Sequence, residues 1–356
     1  MTQQDRVIAG RRVSADSRPS RRPPPAGGGT WAVVLAAGEG SRLRALTTTA
    51  SGVAVPKQFC SLRGGASLFE EALQRAVAVA PVERISTVVA ENHAAWWCRS
   101  LAGLAPANVF VQPQNRGTAL GILLAVLNIF ERDPLARVVI LPADHHVGEE
   151  PVLARALGQA VAGVRARPAD ILLLGVTPEE PDTELGYIVP AGDVGDGSAP
   201  VAWFVEKPTV RDAQALIARG ALWNAFIIAA RATALIELFD RYDPGLLRRM
   251  RFAVRRANGS ADSSTALVDL YLRERSVDFS HDIAQRYGAV FRVLRVPACA
   301  WTDLGTVQRV SKTLLAAARP AEQPTAFHAG GLLNLEHQQS AARAGLAAGA
   351  MSGGHA

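Results

Sequence analysis

Short apolar runs alternate with longer amphipathic stretches along the chain from residue 31 onward. The run Trp31–Ala36 is apolar almost throughout, which is typical of a strand buried on both faces. Ser67 and Glu70 have the spacing of a capping box and predict a helix that continues to about residue 80. Gly117–Arg132 carries little charge and predicts a buried helix. This half of the chain also predicts a helix that ends near 167, and strands at 85–90, 109–112, 137–141 and 171–176.

The pattern is less regular beyond residue 186. The predicted strands there are 187–189, 201–205, 226–230 and 289–296. The predicted helices are 209–218, 231–243, 264–275 and 306–318. No internal repeat is visible, and strands that alternate with helices at this spacing predict a doubly wound α/β sheet.

The composition indicates a folded protein with enough apolar residues for a large core. Of the 356 residues, 49% are hydrophobic and 20% are charged, which excludes a disordered or collagen-like chain. The three cysteines, Cys60, Cys98 and Cys299, lie far apart and form no C-x-x-C pair. This spacing argues against a disulfide scaffold or a zinc finger and favours a reducing compartment.

The net charge of +6 comes mainly from the N-terminal segment. Residues 1–29 carry +4 and are rich in Pro and Gly, so they are predicted to be a disordered basic tail. The rest of the chain carries only about +2, and no apolar stretch reaches membrane-spanning length. We therefore expect a cytoplasmic protein without a nucleic-acid or membrane partner. Its single domain is expected at 30–318, followed by a flexible tail at 319–356.

A glycine-containing segment, Leu35–Leu43, follows the first strand directly. Gly38 and Gly40 allow the backbone to approach a ligand closely, and successive N–H groups in such a turn can bind phosphate oxygens. Arg42 adds further hydrogen-bond donors. Leu43 stands where the dinucleotide motif has its third glycine, and no G-K-[ST] follows, so both common nucleotide motifs are excluded. On the glycines alone, a plain strand-to-helix turn is the alternative.

Lys57 lies in the segment P-K-Q-F, fifteen positions after Arg42, where its charge can reach the same phosphates. The glycine loop, Arg42 and Lys57 together resemble the signature of the sugar-1-phosphate nucleotidyltransferases, and in particular of the mannose-1-phosphate guanylyltransferases. Further segments resemble motifs of this family in the family's order: Gln112–Ala119, P-A-D-H at 142–145, F-x-E-K-P at 204–208 and W-x-D-x-G at 301–305.

This resemblance implies a Rossmann-like α/β domain of the glycosyltransferase-A type, with a mostly parallel mixed sheet flanked by helices. It implies transfer of a nucleoside monophosphate to a sugar 1-phosphate, with GTP and mannose 1-phosphate as partners and Mg²⁺ as cofactor. The attacking phosphate oxygen is already nucleophilic. The chemistry therefore requires charge neutralisation and in-line positioning rather than a catalytic triad. A homo-oligomer is compatible with the resemblance.

The same resemblance assigns roles to individual residues. The catalytic residues would be Arg42, Lys57, Asp144 and Lys207. The nucleotide would contact Leu35, Ala36, Gly38, Gly40, Ser41, Gln114, Gly117 and Thr118. The sugar phosphate would contact Gly186, Glu206, Lys207 and Asn224. The Mg²⁺ ligands would be Asp144 and Asp303, with His145 supporting Asp144 rather than binding zinc.

One segment departs from the family's pattern. Trp223–Phe226 stands where the family has W-N-S-G, so Ala225 and Phe226 replace serine and glycine. Asn224 is kept, but the identity of the sugar stays open. The alternatives are transfer to glucose 1-phosphate from UTP, dTTP or ATP, and a catalytically silent regulatory protein that binds a sugar nucleotide.

Overall fold

The computed structural model of the protein describes residues 28–195, 197–259 and 263–317. The predicted tail at 319–356 lies outside these residues, and so does the predicted basic tail except for its last two residues. Within the described part of the chain, eleven β-strands and ten α-helices follow one another.

Gly28 and Gly29 are tied to the folded part of the chain. The Gly29 N–H donates to the Asp133 carboxylate at 2.7 Å, and the Trp31 indole donates to the same carboxylate at 3.2 Å. The Arg137 guanidinium donates to the Gly28 carbonyl at 2.8 Å. The folded region therefore begins at least two residues before the predicted boundary.

The strands are β1 (Thr30–Ala36), β2 (Ile85–Ala90), β3 (Val109–Gln112), β4 (Arg137–Pro142), β5 (His146–Val147), β6 (Ile171–Val176), β7 (Gly186–Pro190), β8 (Ser198–Glu206), β9 (Leu222–Arg231), β10 (Phe291–Val296) and β11 (Trp301–Thr302). Nine of them form one sheet in the order β3-β2-β1-β4-β9-β6-β10-β8-β7. The short strands β5 and β11 pair with each other in a separate ladder.

The main sheet is mixed, and most of its strands run in one direction. The pairs β1–β2, β2–β3, β1–β4 and β6–β10 are parallel, whereas β9 lies antiparallel between β4 and β6. Strand β8 is antiparallel to both β10 and β7. The carboxyl ends of β1, β3 and β4 therefore meet at one edge, and the start of β9 reaches the same edge. α/β sheets typically bind ligands at such an edge.

The helices are α1 (Arg44–Thr47), α2 (Leu68–Val77), α3 (Ala94–Trp97), α4 (Thr118–Arg132), α5 (Glu150–Ala166), α6 (Val210–Ala218), α7 (Ala232–Tyr242), α8 (Pro244–Gly259), α9 (Ser263–Arg273) and α10 (Val307–Ala317). A π-helical turn, Phe279–Ala284, follows α9. Among the described residues, no helix combines the length and the apolar character needed to span a bilayer.

Both faces of the sheet are covered, which explains the continuous apolar run of β1. Trp31 and Val33 belong to a core with residues of α4, α7 and α8, whereas Ala32 and Val34 belong to a second core with residues of α2 and α5. The predicted doubly wound α/β fold is therefore confirmed.

Two predicted caps are present in the structure. The Ser67 hydroxyl accepts from the Glu70 N–H at 3.3 Å, and the Glu70 carboxylate accepts from the Ser67 N–H at 2.9 Å. Thr209 caps α6 by accepting from the Asp212 N–H at 3.2 Å. These helix starts depend on residues three positions apart, so a local pattern is sufficient to predict them.

The pattern predicted no helix at Pro244–Gly259, where α8 lies. Its buried side chains Leu246, Leu247, Met250 and Val254 follow a helical spacing. Five arginines interrupt that apolar run, and α8 still forms because its narrow apolar stripe packs on α4 and α7.

Candidate active site

A cavity of about 630 Å³ lies at the sheet edge where β1, β3 and β4 end. Five predicted site residues are absent from its wall: Ala36, Gly40, Ser41, Lys57 and Gln114. Eleven predicted site residues line it: Leu35, Gly38, Arg42, Gly117, Thr118, Asp144, Gly186, Glu206, Lys207, Asn224 and Asp303. The fold therefore brings widely separated segments to one place.

The short β5–β11 ladder brings the two predicted metal ligands together. His146 pairs with Thr302 and Val147 pairs with Trp301, so the segments that follow Asp144 and precede Asp303 run side by side. Lys57 lies behind the cavity wall, and its side chain is only 10% exposed. Its Nζ lies 2.8 Å from Asp144 Oδ2 and donates to the Asp303 carbonyl at 2.6 Å. Lys57 therefore contacts both aspartates, and its predicted contact with a phosphate stays a prediction.

Arg309 fixes the carboxylate of Asp303. Its guanidinium donates to Asp303 Oδ1 and lies 2.9 Å from Asp182 Oδ2. The Gly305 N–H donates to the same Asp303 Oδ1 at 3.0 Å. Arg309 was not singled out in the sequence, because its role depends on where α10 packs.

Neighbouring charges and burial determine the protonation states of Asp144 and His145. Desolvation opposes ionisation of Asp144, but the charges of Lys57 and His145 and the hydrogen bond from Lys57 leave its pKa below the ordinary value. Burial lowers the pKa of His145, despite the nearby carboxylates of Asp144 and Asp303. His145 is therefore neutral at pH 7. Its Nε2 lies 3.6 Å from Asp144 Oδ1, too far for a hydrogen bond.

Hydrogen bonds from Gln58 hold the glycine loop in place. The buried Gln58 amide donates to the carbonyls of Ala36 and Gly38, each at 2.8 Å. Gly40 has a positive φ of 60°, and a Cβ there would lie 2.8 Å from the backbone nitrogen of Lys57. Gly40 therefore serves the packing of the loop on Lys57, whereas Gly38 faces open space.

The start of α4 forms the opposite side of the cavity. A segment formed by residues 276–285, which we name the strap, lies against it. The Ala119 N–H donates to the Val277 carbonyl at 3.1 Å, and the Phe279 N–H donates to the Thr118 hydroxyl at 2.8 Å. A Cβ at Gly117 would lie 2.2 Å from the Val277 carbonyl oxygen, so this position requires glycine. The strap also contributes Asp278 and Ser280 to the wall.

Gln114 does not face the cavity. Its side-chain amide donates to the Tyr271 carbonyl at 3.1 Å, and Arg116 donates to the same carbonyl at 2.7 Å. The neighbouring Asn115 lines the cavity instead. The Q-P-Q-N-R segment therefore anchors the end of α9 as well as opening α4.

Asp278 and Ser280 are site residues that the sequence reasoning missed. Asp278 accepts from the His281 N–H at 2.9 Å and so caps the π-helical turn. The D-x-x-H spacing is a capping signal that the sequence shows, but it does not indicate that these residues line a cavity. Their approach to α4 depends on the position of the strap, which lies about 160 residues away in the chain.

At the far end of the cavity, Glu206 and Gly186 face each other across the β7–β8 ladder. A Cβ at Gly186 would lie 2.5 Å from Glu206 Oε2, so any larger residue would displace this carboxylate from its position. Burial and then the charge of Asp278 raise the pKa of Glu206 to about 7. The exposed Lys207 follows with a positive φ of 49°.

Arg42 and Glu184 form an ion pair on the cavity wall, with Nη1 and Oε2 2.8 Å apart. Both side chains are largely exposed, at 55% and 43%, so the pair contributes little to stability. It joins the glycine loop to the segment before β7.

The wall carries more acidic than basic side chains. Arg42 and Lys207 are the lining cations, and the lining carboxylates are Asp144, Glu184, Glu206, Asp278 and Asp303. This excess of carboxylates favours the binding of a cation at the wall. Within the described residues no group of three or more His, Cys, Asp or Glu side chains is arranged so that it could hold a metal ion by itself. Mg²⁺ commonly takes one or two protein carboxylates with phosphate oxygens and waters, so the pair Asp144 and Asp303 fits it.

The fold and the cavity define an α/β protein with a candidate ligand site at the carboxyl edge of its sheet. The sequence model of the nucleotidyl transferase family matches residues 31–318. The chain belongs to this family, and the family resemblance predicted from its motifs is confirmed.

Two relatives indicate which branch of the family is similar. The chain is 31% identical over 295 residues to the mannose-1-phosphate guanylyltransferase of Escherichia coli (strain K12), covering 78% of this chain and 58% of that protein. It is 30% identical over 281 residues to the alginate biosynthesis protein AlgA of Pseudomonas syringae pv. tomato, covering 77% and 56%. The chain thus spans little more than half the length of these relatives.

Solved structures support the same fold. The crystal structure described as mannose-1-phosphate geranyltransferase from Thermus thermophilus superposes with a TM-score of 0.68 at 26% identity, covering 83% of this chain and 81% of that one. Mannose-6-phosphate isomerase from Helicobacter pylori superposes with a TM-score of 0.57 at 18% identity, covering 77% and 99%, and shows the fold alone.

Proposed function

We propose that the protein transfers a nucleoside monophosphate from a nucleoside triphosphate to a sugar 1-phosphate. The favoured pair is GTP and mannose 1-phosphate, which would give GDP-mannose and pyrophosphate. The observation that carries the proposal is the placement of Asp144 and Asp303 on one cavity wall, joined by Lys57. The relative from E. coli, named a mannose-1-phosphate guanylyltransferase, supports the choice of sugar and base.

Asp144 and Asp303 would hold the Mg²⁺, with Arg309 and Lys57 keeping the two carboxylates in position. When bound, the ion neutralises phosphate charge at the reacting centre. The backbone of Gly38 and the start of α4 would receive the nucleotide, because the glycine leaves open space and a helix N-terminus favours anions. Arg42 would leave Glu184 to contact the triphosphate.

Lys207 would orient the attacking phosphate of the sugar, and Glu206 would accept hydrogen bonds from sugar hydroxyls. One phosphate oxygen of the sugar 1-phosphate attacks the α-phosphorus, and the bond from this phosphorus to the bridging oxygen of pyrophosphate breaks. The attacking oxygen is already ionised, so the step needs no general base and no covalent enzyme intermediate.

A substrate panel tests this proposal. GTP, ATP, UTP and dTTP are each combined with mannose 1-phosphate and glucose 1-phosphate, with Mg²⁺ present, and pyrophosphate release is measured. Among these eight pairs we expect the highest kcat/KM for GTP with mannose 1-phosphate. Release of pyrophosphate with no pair would contradict nucleotidyl transfer, and preference for another pair would contradict the choice of substrates.

A lysine comparison tests the assignment of Lys207. Lys207→Ala is expected to raise the KM for the sugar 1-phosphate about tenfold, while the KM for the triphosphate stays unchanged. Lys312→Ala removes an exposed lysine that pairs with Glu179 away from the cavity wall and serves as the matched control. Equal KM values for both variants would remove Lys207 from the sugar-phosphate site.

We also propose that the protein works in the cytoplasm. The three cysteines are unpaired thiols in the structure, which supports a reducing compartment. Burial raises the pKa of Cys60 to about 12 and that of Cys299 to about 11, so neither is a reactive thiolate.

A further inference from the structure

Phe226 adopts a backbone conformation that is unusual for its type. Its φ is +53°, in the left-handed region that bulky side chains rarely occupy. Phe226 also lines the cavity and is half-buried there. Such a conformation persists only where neighbouring groups maintain it, and it is often found at functional sites.

Two contacts maintain this conformation. The Phe226 N–H donates to the Asn224 side-chain oxygen at 3.1 Å. The Phe226 ring meets the Phe279 ring edge-on, with centroids 6.5 Å apart and an interplanar angle of 84°. Since Phe279 is fully buried, the Phe226 ring has a rigid support.

These contacts also occupy Asn224, the side chain predicted to bind a sugar hydroxyl. Its oxygen accepts from Phe226, and its nitrogen lies 3.4 Å from the Ser280 hydroxyl. The strap that carries Phe279 and Ser280 also holds Glu206, because Gln285 accepts from the Glu206 N–H at 2.9 Å. Phe226 therefore belongs to the same end of the cavity as Glu206.

The Phe226 ring therefore gives the cavity an apolar surface near Glu206 and Asn224, the side chains predicted to contact the sugar. A sugar hydroxyl placed against the phenyl ring would lose its water without gaining a hydrogen-bond partner. A methyl or methylene group in the same place would be favoured, because both surfaces leave water.

We propose that Phe226 determines sugar specificity and that the chain favours a sugar 1-phosphate with a deoxy carbon where the sugar meets this ring. This inference rests on the proposed nucleotidyl transfer. A fully hydroxylated hexose such as mannose 1-phosphate is then a slower substrate than one of its monodeoxy analogues.

The experiment compares mannose 1-phosphate with its 2-, 3-, 4- and 6-deoxy analogues, each with GTP, ATP, UTP and dTTP, in the unaltered chain. One analogue is expected to exceed the parent sugar in kcat/KM by about tenfold, the lower range of discrimination for one group in an apolar pocket. Equal or lower values for all four analogues would overturn the inference.

Three substitutions then assign the preference to Phe226. Phe226→Gly removes the ring and suits the positive φ, and Phe226→Asn introduces a polar side chain that tolerates the same φ. In both variants, the ratio of kcat/KM for the preferred deoxy analogue to kcat/KM for mannose 1-phosphate is expected to fall to about one. Phe226→Leu keeps an apolar side chain and is expected to retain most of the preference. Thermal unfolding of each variant verifies the fold.

The outcomes separate this inference from the proposed function. An unchanged preference in Phe226→Gly or, should that variant not fold, in Phe226→Asn would overturn the role of Phe226 alone. Absence of turnover by the unaltered chain with every sugar 1-phosphate and triphosphate would overturn the proposed function, and the inference with it.

Discussion

The two ends of the cavity are built differently. The end next to β1 and β4 consists of loops that follow parallel strands. Its glycine loop is held by a residue close in the chain, because Gln58 donates to Ala36 only 22 residues away. The end next to β7 and β8 depends on antiparallel strands and the strap. There Glu206 reaches Gln285 across 79 residues and Asn224 reaches Ser280 across 56. The contact that holds the glycine loop is therefore local. The second end, like the contact of Lys57 with Asp303 across 246 residues at the first end, joins segments that are distant in the chain.

The two ends also differ in charge. Lys57 keeps the pKa of Asp144 low, so this carboxylate is ionised at neutral pH. Burial and Asp278 raise the pKa of Glu206 to about 7, so this carboxyl is partly protonated at the same pH. The first end is thus prepared for a cation, whereas the second responds to pH.

The largest expected effect is at the first end. Asp144→Asn removes a charge from the proposed metal pair, and we expect kcat/KM for pyrophosphate release to fall by at least about a hundredfold. Asp240→Asn changes an exposed aspartate on α7 and is the matched control. Near-normal turnover of a correctly folded Asp144→Asn protein would remove Asp144 from the reaction.

Arg309 links the two ends, because it contacts both Asp303 and Asp182 in the segment before β7. Arg309→Met is expected to raise the Mg²⁺ concentration for half-maximal activity by roughly 10-fold or more, the usual consequence of losing a group that orients a metal ligand. Arg309→Lys should recover part of the loss.

Direct Mn²⁺ titration by electron paramagnetic resonance gives a second measure of the Arg309 effect that does not depend on turnover. Equal Mn²⁺ affinity in Arg309→Met and the unaltered chain would contradict a positioning role. A loss of thermal stability without a change in affinity would indicate a purely structural role.

A smaller effect is expected at Gly186. Gly186→Ala places a Cβ about 2.5 Å from Glu206 Oε2, so the carboxylate must move. We expect the KM for the sugar 1-phosphate to rise about tenfold with little change for the triphosphate. Gly158→Ala on α5, where a Cβ meets nothing within 4 Å, should leave both values unchanged. Equal changes for both substrates would contradict the separation of the two ends.

The smallest effect concerns pH. If Glu206 accepts hydrogen bonds from the sugar, its ionised form accepts them more strongly and with both oxygens, and kcat/KM for the sugar 1-phosphate should rise several-fold from about pH 6 to about pH 8. The sugar phosphate itself also titrates and contributes part of this rise in kcat/KM. Glu206→Gln should remove the rest of the rise. Identical profiles for both proteins would exclude Glu206 as the titrating group.

The same pKa shift has a consequence for stability. Because the folded state raises the pKa of Glu206 from 4.5 to about 7, it binds a proton more readily than the unfolded state between these values. The contribution of Glu206 to the free energy of unfolding is therefore lost as pH rises through this range. Urea unfolding of Glu206→Gln should show less of this decline than the unaltered chain.

The predicted positions of the strands and of most helices agree with the structure, because burial on both sheet faces and capping residues leave local patterns. The close neighbour of Gly40 in the structure is the Lys57 backbone, and its predicted contact with the nucleotide stays a prediction. A glycine in a loop indicates a close approach or a positive φ, but not which group approaches. Ala36 and Ser41, which the family resemblance assigned to the nucleotide, do not line the cavity, and their nucleotide contacts stay predictions.

The sequence by itself determined the alternating α/β elements, the capped starts of α2 and α6 and the ordered motifs of the family, because each depends on residues that are neighbours in the chain. Only the tertiary structure decided that β5 pairs with β11, that Lys57 reaches the carbonyl of Asp303 246 residues away, and that Phe226 turns its ring toward Phe279. These contacts join segments whose approach depends on how the sheet and strap pack. No local pattern of polar and apolar residues encodes that approach.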